Sequence, residues 1–249
     1  MAMKRLASNA NVRVLGNTNA ERLPIFSFLI YPPVPSSLLD VPYEPGCRSP
    51  SSGDLKRKRL PLHGRFVTRL LNDLFGIQAR GGCACAGPYG HTLLNIDNEL
   101  SLRIRSMILK GYNGLKPGWT RLSFSYYLSK EKFRFILAAI EFIASYGHRF
   151  LPLYKFDWIT VDWTFRKQAI KYQIMKEELD LTTGVDLLAE NVQSKIADEL
   201  EKKQGVDQKK FEGYLDNAKK IALSLPDISH QVAASVPKGV DRDLVLFHI

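Results

Sequence analysis

The sequence has few cysteines, and this shortage limits what can hold the fold together. Among its 249 residues only Cys47, Cys83 and Cys85 are cysteines, too few for a disulfide framework. Disulfides are typical of oxidising compartments, whereas proteins of reducing compartments keep their thiols free. We therefore expect a fold held by its hydrophobic core in a reducing compartment. The cytoplasm is the expected location, and an organelle is the alternative.

Long apolar runs are also missing. A membrane helix needs about 20 consecutive, mostly apolar residues. Residues 133–144 are apolar but short, and Arg134 and Glu141 interrupt them. At the N-terminus, Lys4 and Arg5 are not followed by an apolar block, so the layout of a signal peptide is absent. We expect no interaction with a membrane.

Acidic residues are fewer than basic ones. The sequence has 25 Asp and Glu against 35 Lys and Arg, which gives a formal net charge of +10. Such an excess can indicate a nucleic-acid partner. No nucleic-acid-binding motif accompanies the charge, however, and the basic residues are spread along the chain. We therefore do not expect nucleic acid as a partner. The 45% of hydrophobic and 24% of charged residues are typical of a globular protein.

Hydrophobic patterns predict an α+β fold. Residues 13–15, 23–31, 77–80 and 119–128 favour strands, and residues 63–75, 95–110 and 129–146 favour helices. The run 23–31 is apolar without alternation, which is typical of a strand covered on both faces. Gly76 is placed to end the first helix, and Ser129 to begin the third. We expect a small mixed sheet with helices on one face.

Two segments differ in composition from the rest. Residues 32–61 are rich in proline and serine and contain the basic run 56–59. They predict a flexible insertion, whose basic run is either a solvated loop or a nuclear-localisation patch. Residues 161–249 predict a helical extension, with one helix over 211–223. Its amphipathic faces either pack on their own domain or bind a partner.

The segment 76–88 is the most unusual part of the chain. A short strand ends at Arg80, and a loop follows with Gly81, Gly82, Cys83 and Cys85. Glycines permit backbone conformations that other residues resist, and they let a ligand or a second chain approach closely. Thiols on such a loop can reach outward, and Arg80 would favour the reactive thiolate. A zinc site with His91 is disfavoured, because a structural site needs four ligands and no second pair exists.

The tract from Ala79 to Pro88 resembles the catalytic-cysteine loop of class V aminotransferase-fold enzymes. These are the pyridoxal-phosphate-dependent cysteine desulfurases and the related molybdenum-cofactor sulfurases. In that pattern an Arg-Thr-Gly is followed by two residues and the sulfur-accepting cysteine, a position that Cys85 occupies here. Cysteine desulfurases often carry His-His where this chain has Cys83 and Ala84. The Cys-x-Cys form of the molybdenum-cofactor sulfurases is the closer match.

A second match supports the same resemblance. Residues 117–124 look like the family strand whose arginine binds the substrate carboxylate, and Arg121 occupies that position. A guanidinium suits this role because it grips a carboxylate through two parallel hydrogen bonds. The tracts 22–28 and 111–119 look most like a plant group of these proteins. The resemblance covers residues 11–154 and implies the C-terminal small domain of a fold-type I enzyme, here within residues 1–160.

The resemblance also implies what the chain lacks. The Schiff-base lysine that holds pyridoxal phosphate lies in the large domain of the family, upstream of anything matched here, so this chain alone is expected not to bind the cofactor. We expect a truncated, inactive relative of cysteine desulfurases. In it Cys85 is the persulfide acceptor, and Arg121 and Arg80 are substrate-binding residues. The alternatives are a non-enzymatic interaction module and a fragment of a longer transferase.

Other residues have less specific interpretations. Cys83 is a second thiol, a redox partner or a packing residue. His63 and His91 stand alone, which favours surface or capping roles. A small domain without its large domain exposes apolar surface, here expected at residues 23–31 and 119–127. This predicts a homo-oligomer or a large-domain partner chain, unless the C-terminal helices cover that surface.

Overall fold

The structure, a computed structural model, describes residues 1–33, 60–83, 85, 87–166, 199–225 and 236–249. They form an α+β fold. Its strands are β1 (Val12–Val14), β2 (Ile25–Ile30), β3 (Arg80–Gly82), β4 (Trp119–Ser123), β5 (Tyr154–Phe156) and β6 (Trp163–Phe165). The α-helices are α1 (Ala2–Ala7), α2 (Gly64–Phe75), α3 (Gly87–Leu93), α4 (Asn98–Leu109), α5 (Lys130–Tyr146) and α6 (Glu199–Ser224).

The main sheet has four strands in the order β1-β2-β4-β3, and β5 and β6 form a separate hairpin. Every pair in the main sheet is antiparallel, so the expectation of a mixed sheet was wrong. A single crossover helix between two strands returns the chain parallel. Here two helices, α3 and α4, connect β3 to β4, and the chain returns in the opposite direction.

One face of the sheet belongs to the main hydrophobic core. Phe26, Phe28 and Ile30 alternate along β2 on this face. The core continues into the helices through residues that are fully or almost fully buried: Phe66 and Leu70 of α2, and Leu137, Ile140 and Ile143 of α5. We call this surface the core face.

The opposite face is partly covered by α3. Leu15, Leu29, Tyr31 and Trp119 form a second buried cluster there, and Leu93 at the end of α3 packs against it. Helices therefore lie on both faces, and the expectation of helices on one face was wrong. The continuous apolar run in β2 did predict cover on both sides, because adjacent strand residues point to opposite faces. We call this surface the thiol face.

Local signals predicted the helix ends well. The Ser129 hydroxyl accepts a hydrogen bond from the Lys132 amide, and α5 begins at the next residue as expected. Gly76 follows α2 with φ of 65°, a conformation that costs glycine little. The Asp97 side chain caps α4 in the same way as Ser129 caps α5, so that this helix begins three residues later than its apolar pattern suggested.

Strand positions were predicted less well. The third strand is Arg80–Gly82, shifted past the expected 77–80 onto two glycines that were placed in a loop. The fourth strand ends at Ser123 rather than 128. Helix α3 was missed, because Gly87 and Pro88 were interpreted as loop residues. Proline is nevertheless well suited to the first turn of a helix, where its missing amide hydrogen is not needed.

The C-terminal part of the chain packs on the rest. In α6 the Phe211 ring stacks on Phe135 of α5 at 4.3 Å between centroids, and Ala218 and Ala222 are buried. This is the arrangement expected of an appended helix that folds on its own domain. The hairpin of β5 and β6 spans the proposed boundary at residue 160. The described residues on its two sides thus share one core, and the division into 1–160 and 161–249 stays a prediction.

His63 is a core residue rather than the surface or capping residue that was expected. It precedes α2 but makes no capping hydrogen bond with its side chain, and it is buried. Its Nδ1 accepts a hydrogen bond from Trp163 Nε1 at 3.0 Å, and the Phe247 ring lies 4.4 Å away. The C-terminal segment therefore closes an aromatic core around this imidazole. Burial, with a smaller contribution from Arg65, lowers the pKa of His63 from 6.5 to about 3.

The two tracts expected to expose apolar surface are mostly buried. Their exposed large hydrophobic side chains are Leu23 and Ile25 at one end and Tyr126 and Tyr127 at the other. The Phe124 amide donates to the Pro24 carbonyl, which brings the two ends together at one edge of the fold. No α-helix in the described part of the chain has the length and apolarity that a membrane crossing requires. Cys47, most of the 32–61 insertion and its basic run lie outside the described residues.

Candidate functional site

The register of the sheet brings two arginines together on the thiol face. Arg80 of β3 lies directly opposite Arg121 of β4, and Ser27 of β2 lies on the other side of Arg121. Directly opposite residues of an antiparallel pair point to the same face, and like charges in this position repel. None of the salt bridges among the described residues includes either arginine. The pair therefore offers two guanidinium groups to an anion.

Cys85 lies beside this arginine pair. The Arg80 Nη2 atom donates a hydrogen bond to Cys85 Sγ at 3.4 Å, and the cysteine is exposed. Its φ of 61° is a left-handed conformation that few residues other than glycine adopt. An exposed sulfur, its arginine partner and a second arginine thus occupy one side of the sheet.

Cys83 has a different environment. It is half-buried and lines a cavity of about 220 Å³. The wall of this cavity also includes Gly87, Gly90, His91, Ile108, Lys116 and Pro117. The His91 Nδ1 atom lies 2.9 Å from the Ser101 hydroxyl oxygen. The thiol loop, which carries both cysteines, therefore has an exposed sulfur at Cys85 and a half-buried one at Cys83.

The glycines around the loop serve the packing of the chain itself. A Cβ on Gly81 would lie 2.8 Å from the Arg65 Cα atom at the start of α2. A Cβ on Gly118 would lie 2.6 Å from the Gly82 backbone in the neighbouring strand. Such distances are not compatible with a side chain, so glycine is required for these elements to touch. We expected the loop glycines to admit a ligand or a second chain. At Gly81 the close packing against α2 is a simpler reason for a glycine.

The wall of this cavity does not fit pyridoxal phosphate. That cofactor needs a lysine for its Schiff base, an acidic partner for its ring nitrogen and groups that bind its phosphate. Lys116 is the lysine on the wall of the cavity beside Cys83, but no acidic residue contributes to that wall. We therefore derive no step of a reaction through this cofactor. Likewise, no cluster of three or more His, Cys, Asp or Glu side chains that could hold a metal ion occurs among the described residues.

Sequence reasoning named Arg80, Cys83, Cys85, His91 and Arg121, and it missed Lys116. Cys85, Arg80 and Arg121 come together as the motif suggested. Cys83 lies apart from them, with His91 and Lys116, and Lys116 gave no signal because it belongs to a turn. His91 belongs to the short helix α3, which places it on the same cavity wall as Cys83. Had that helix been predicted, the spacing of His91 from Cys83 would have suggested that the two residues share a site.

The chain matches no protein-family model, no curated protein and no solved structure. The site is therefore described by its geometry alone: an exposed thiol beside a pair of arginines in a small α+β fold.

Proposed function

We propose that this domain accepts sulfane sulfur on Cys85 from a donor that carries a carboxylate. The observation that carries the proposal is the contact of Arg80 with the Cys85 sulfur, together with Arg121 directly opposite Arg80. One arginine contacts the reacting sulfur, and the other forms no salt bridge among the described residues and can bind an anionic group of the donor. The resemblance to sulfur-accepting loops supports the same chemistry.

The reaction exchanges one sulfur–sulfur bond for another. The Cys85 thiolate attacks the outer sulfur of a donor persulfide, R–S–SH, and a new bond forms between this sulfur and Cys85 Sγ. The old bond breaks, and the donor leaves as the thiolate R–S⁻ with no change in net oxidation state. Cleavage of the carbon–sulfur bond of L-cysteine, the step that the resemblance implies for the whole family, is assigned to a partner chain and not to this one.

Arg121 selects the donor in this proposal. A planar guanidinium binds a carboxylate through two parallel hydrogen bonds, which a neutral ester cannot match. A hydrogen bond to a charged group contributes about 1.5–3 kcal/mol, so losing one weakens binding by about tenfold or more. The preference for a charged donor over a neutral one is therefore the property that the arginine pair should produce.

The test compares two donors in a Cys47→Ser background. The chain is mixed with L-cysteine persulfide or its methyl ester, and protein-bound sulfane sulfur is measured by cyanolysis over time. We expect faster loading from the acid than from the ester, a preference that falls about tenfold in Arg121→Gln. Cys85→Ser should remove the loading. Arg105→Gln, an exposed arginine on α4, serves as the control. Full loading of Cys85→Ser would exclude the proposal.

The second candidate is a non-enzymatic interaction module, favoured by the exposed apolar edge at Leu23, Ile25, Tyr126 and Tyr127. Tyr126 is 98% exposed, which is unusual for an aromatic side chain. If that edge binds another copy of the chain, sedimentation should show association that depends on concentration. The double variant Tyr126→Ser/Tyr127→Ser would weaken it. Association that persists unchanged in this variant, or a monomer at all concentrations, would contradict the role of this edge in self-association.

A further inference from the structure

The thiol face carries positive charge that its own strands do not neutralise. The four strands of the main sheet contain Arg13, Arg80 and Arg121 but neither Asp nor Glu. Arg13 lies opposite Leu29, a residue of the thiol face, so all three arginines belong to this face. None of the salt bridges among the described residues includes any of them. An anion from outside the sheet therefore meets no competing carboxylate in these strands.

Arg80 and Arg121 form the densest part of this charge. They are directly opposite each other, and Ser27 follows in the same row across the sheet. Directly opposite side chains begin about 5 Å apart, so two side chains as long as arginine can reach one group between them. Arg80 is exposed and Arg121 is half-buried, which leaves both accessible from solution. Arg80 donates one hydrogen bond to Cys85, but a guanidinium has five donors.

The arginine pair matches a dianion in charge. Two guanidinium groups carry two positive charges, whereas a single carboxylate neutralises only one. A phosphate monoester carries a charge of about −1.5 to −2 at pH 7 and presents three acceptor oxygens. Arginine binds such oxygens through paired hydrogen bonds, and the hydroxyl of Ser27 is a further donor in the same row. A dianion between the two arginines would also offset the repulsion of their like charges.

We propose that Arg80 and Arg121 together bind the dianion of a phosphate monoester. The inference does not need Cys85 to accept sulfur, so it and the proposed function can fail separately. The phosphate group comes from a small molecule or from a phosphorylated side chain of another protein, because both present the same group. The phosphodiesters of a nucleic-acid backbone carry one negative charge each and match the pair less well.

The test compares two probes of the same shape and different charge. Phenyl phosphate is mostly a dianion at about pH 7.5, because the second pKa of a phosphate monoester is about 6. Phenyl sulfate has the same tetrahedral group with one negative charge. Each is titrated into the full chain at low salt, and binding is followed by NMR through arginine Nε–H and backbone amide signals. We expect phenyl phosphate to bind about fivefold more tightly, because it forms a second ion pair. Equal affinity, or no saturable binding, would overturn the proposal.

Variants show whether the pair is responsible for that preference. In Arg121→Gln the preference for phenyl phosphate should largely disappear, and Arg80→Gln should have the same effect, since each removes one of the two charges. Arg13→Gln is the matched control, because it removes an arginine from the same face outside the pair. This variant should keep the preference. An equal fall in Arg13→Gln would overturn the site, because the charge of the whole face would then attract the dianion.

Two further measurements separate the site from sulfur acceptance and identify the source of the phosphate. Cys85→Ser should bind phenyl phosphate as the parent chain does, and loss of binding in this variant would overturn a site made by the two arginines. O-phospho-L-serine is then compared with a short peptide that contains phosphoserine. Equal affinity supports a small molecule as the source, and tighter binding of the peptide supports a phosphorylated protein. Absence of binding by both would overturn the proposal.

Discussion

The two faces of the sheet use the same strands for opposite purposes. On the core face, β2 contributes Phe26, Phe28 and Ile30 to a closely packed apolar core. On the thiol face, Arg80 and Arg121 oppose each other, and the short helix α3 covers only part of the surface. Stability is therefore concentrated on one face, while the other keeps like charges together, an arrangement that costs stability.

The largest difference between the faces is expected from adjacent residues of β2. Phe28 is fully buried on the core face, and Ser27 lies on the thiol face. Phe28→Ala should reduce the free energy of unfolding by about 3–5 kcal/mol, because it removes a large side chain and leaves a cavity. Ser27→Ala should change it by less than about 0.5 kcal/mol. Urea denaturation followed by circular dichroism measures both. A similar loss in the two variants would contradict the comparison.

The contact between the end of β3 and the residue before β4 can be broken at a glycine. In Gly118→Ala the new methyl group would meet the Gly82 backbone, and we expect a loss of up to about 3 kcal/mol from overpacking. Gly213→Ala is the control, because nothing lies within 4 Å of its added Cβ in the interior of α6. That change should stabilise the protein by about 0.5–1 kcal/mol, since alanine favours the helix. The same sign of effect in both variants would refute the close approach.

Acidification should weaken the core face through His63. The pKa of His63 is about 3 in the folded protein, against an ordinary value of 6.5. Between these two pH values the unfolded chain binds a proton at His63, and the native protein does not. Stability is therefore lost as the pH falls from 6.5 toward 3, and the loss between pH 7 and 5 is about 2 kcal/mol. His63→Gln should have a correspondingly smaller pH dependence in denaturation experiments. His91→Gln, outside the core, should keep the full dependence, and an unchanged slope in His63→Gln would be evidence against a neutral buried imidazole.

The smallest effect is expected on the thiol face. Arg121→Gln removes the repulsion with Arg80, so it should raise the free energy of unfolding by a few tenths of a kcal/mol. The gain should shrink as salt is added, because ions screen exposed charges. Arg105→Gln should give no comparable gain. A clear decrease in the free energy of unfolding in Arg121→Gln would show that this arginine stabilises the fold and does not destabilise it.

Much of the fold was predictable because its signals are local. The amphipathic pattern over 63–75 and the capping serine at 129 depend on neighbours within one helical turn, and both helices formed as expected. The third strand was displaced because its position depends on a close approach to α2. Gly81 permits that approach, but no local sequence pattern predicts the approach. Helix α3 was missed for a related reason, since the glycine and proline that begin it are also typical of loops.

The sequence alone determined the apolar helices, the doubly covered strand β2 and the association of Arg80 with the thiol loop, because each depends on residues close together in the chain. Tertiary structure decided the rest. It set strand direction, placed Arg121 opposite Arg80, buried His63 under Phe247 and separated Cys83 from Cys85 into a cavity and a surface. These features join residues that are distant in sequence, and only the packing of the core fixes which of them meet.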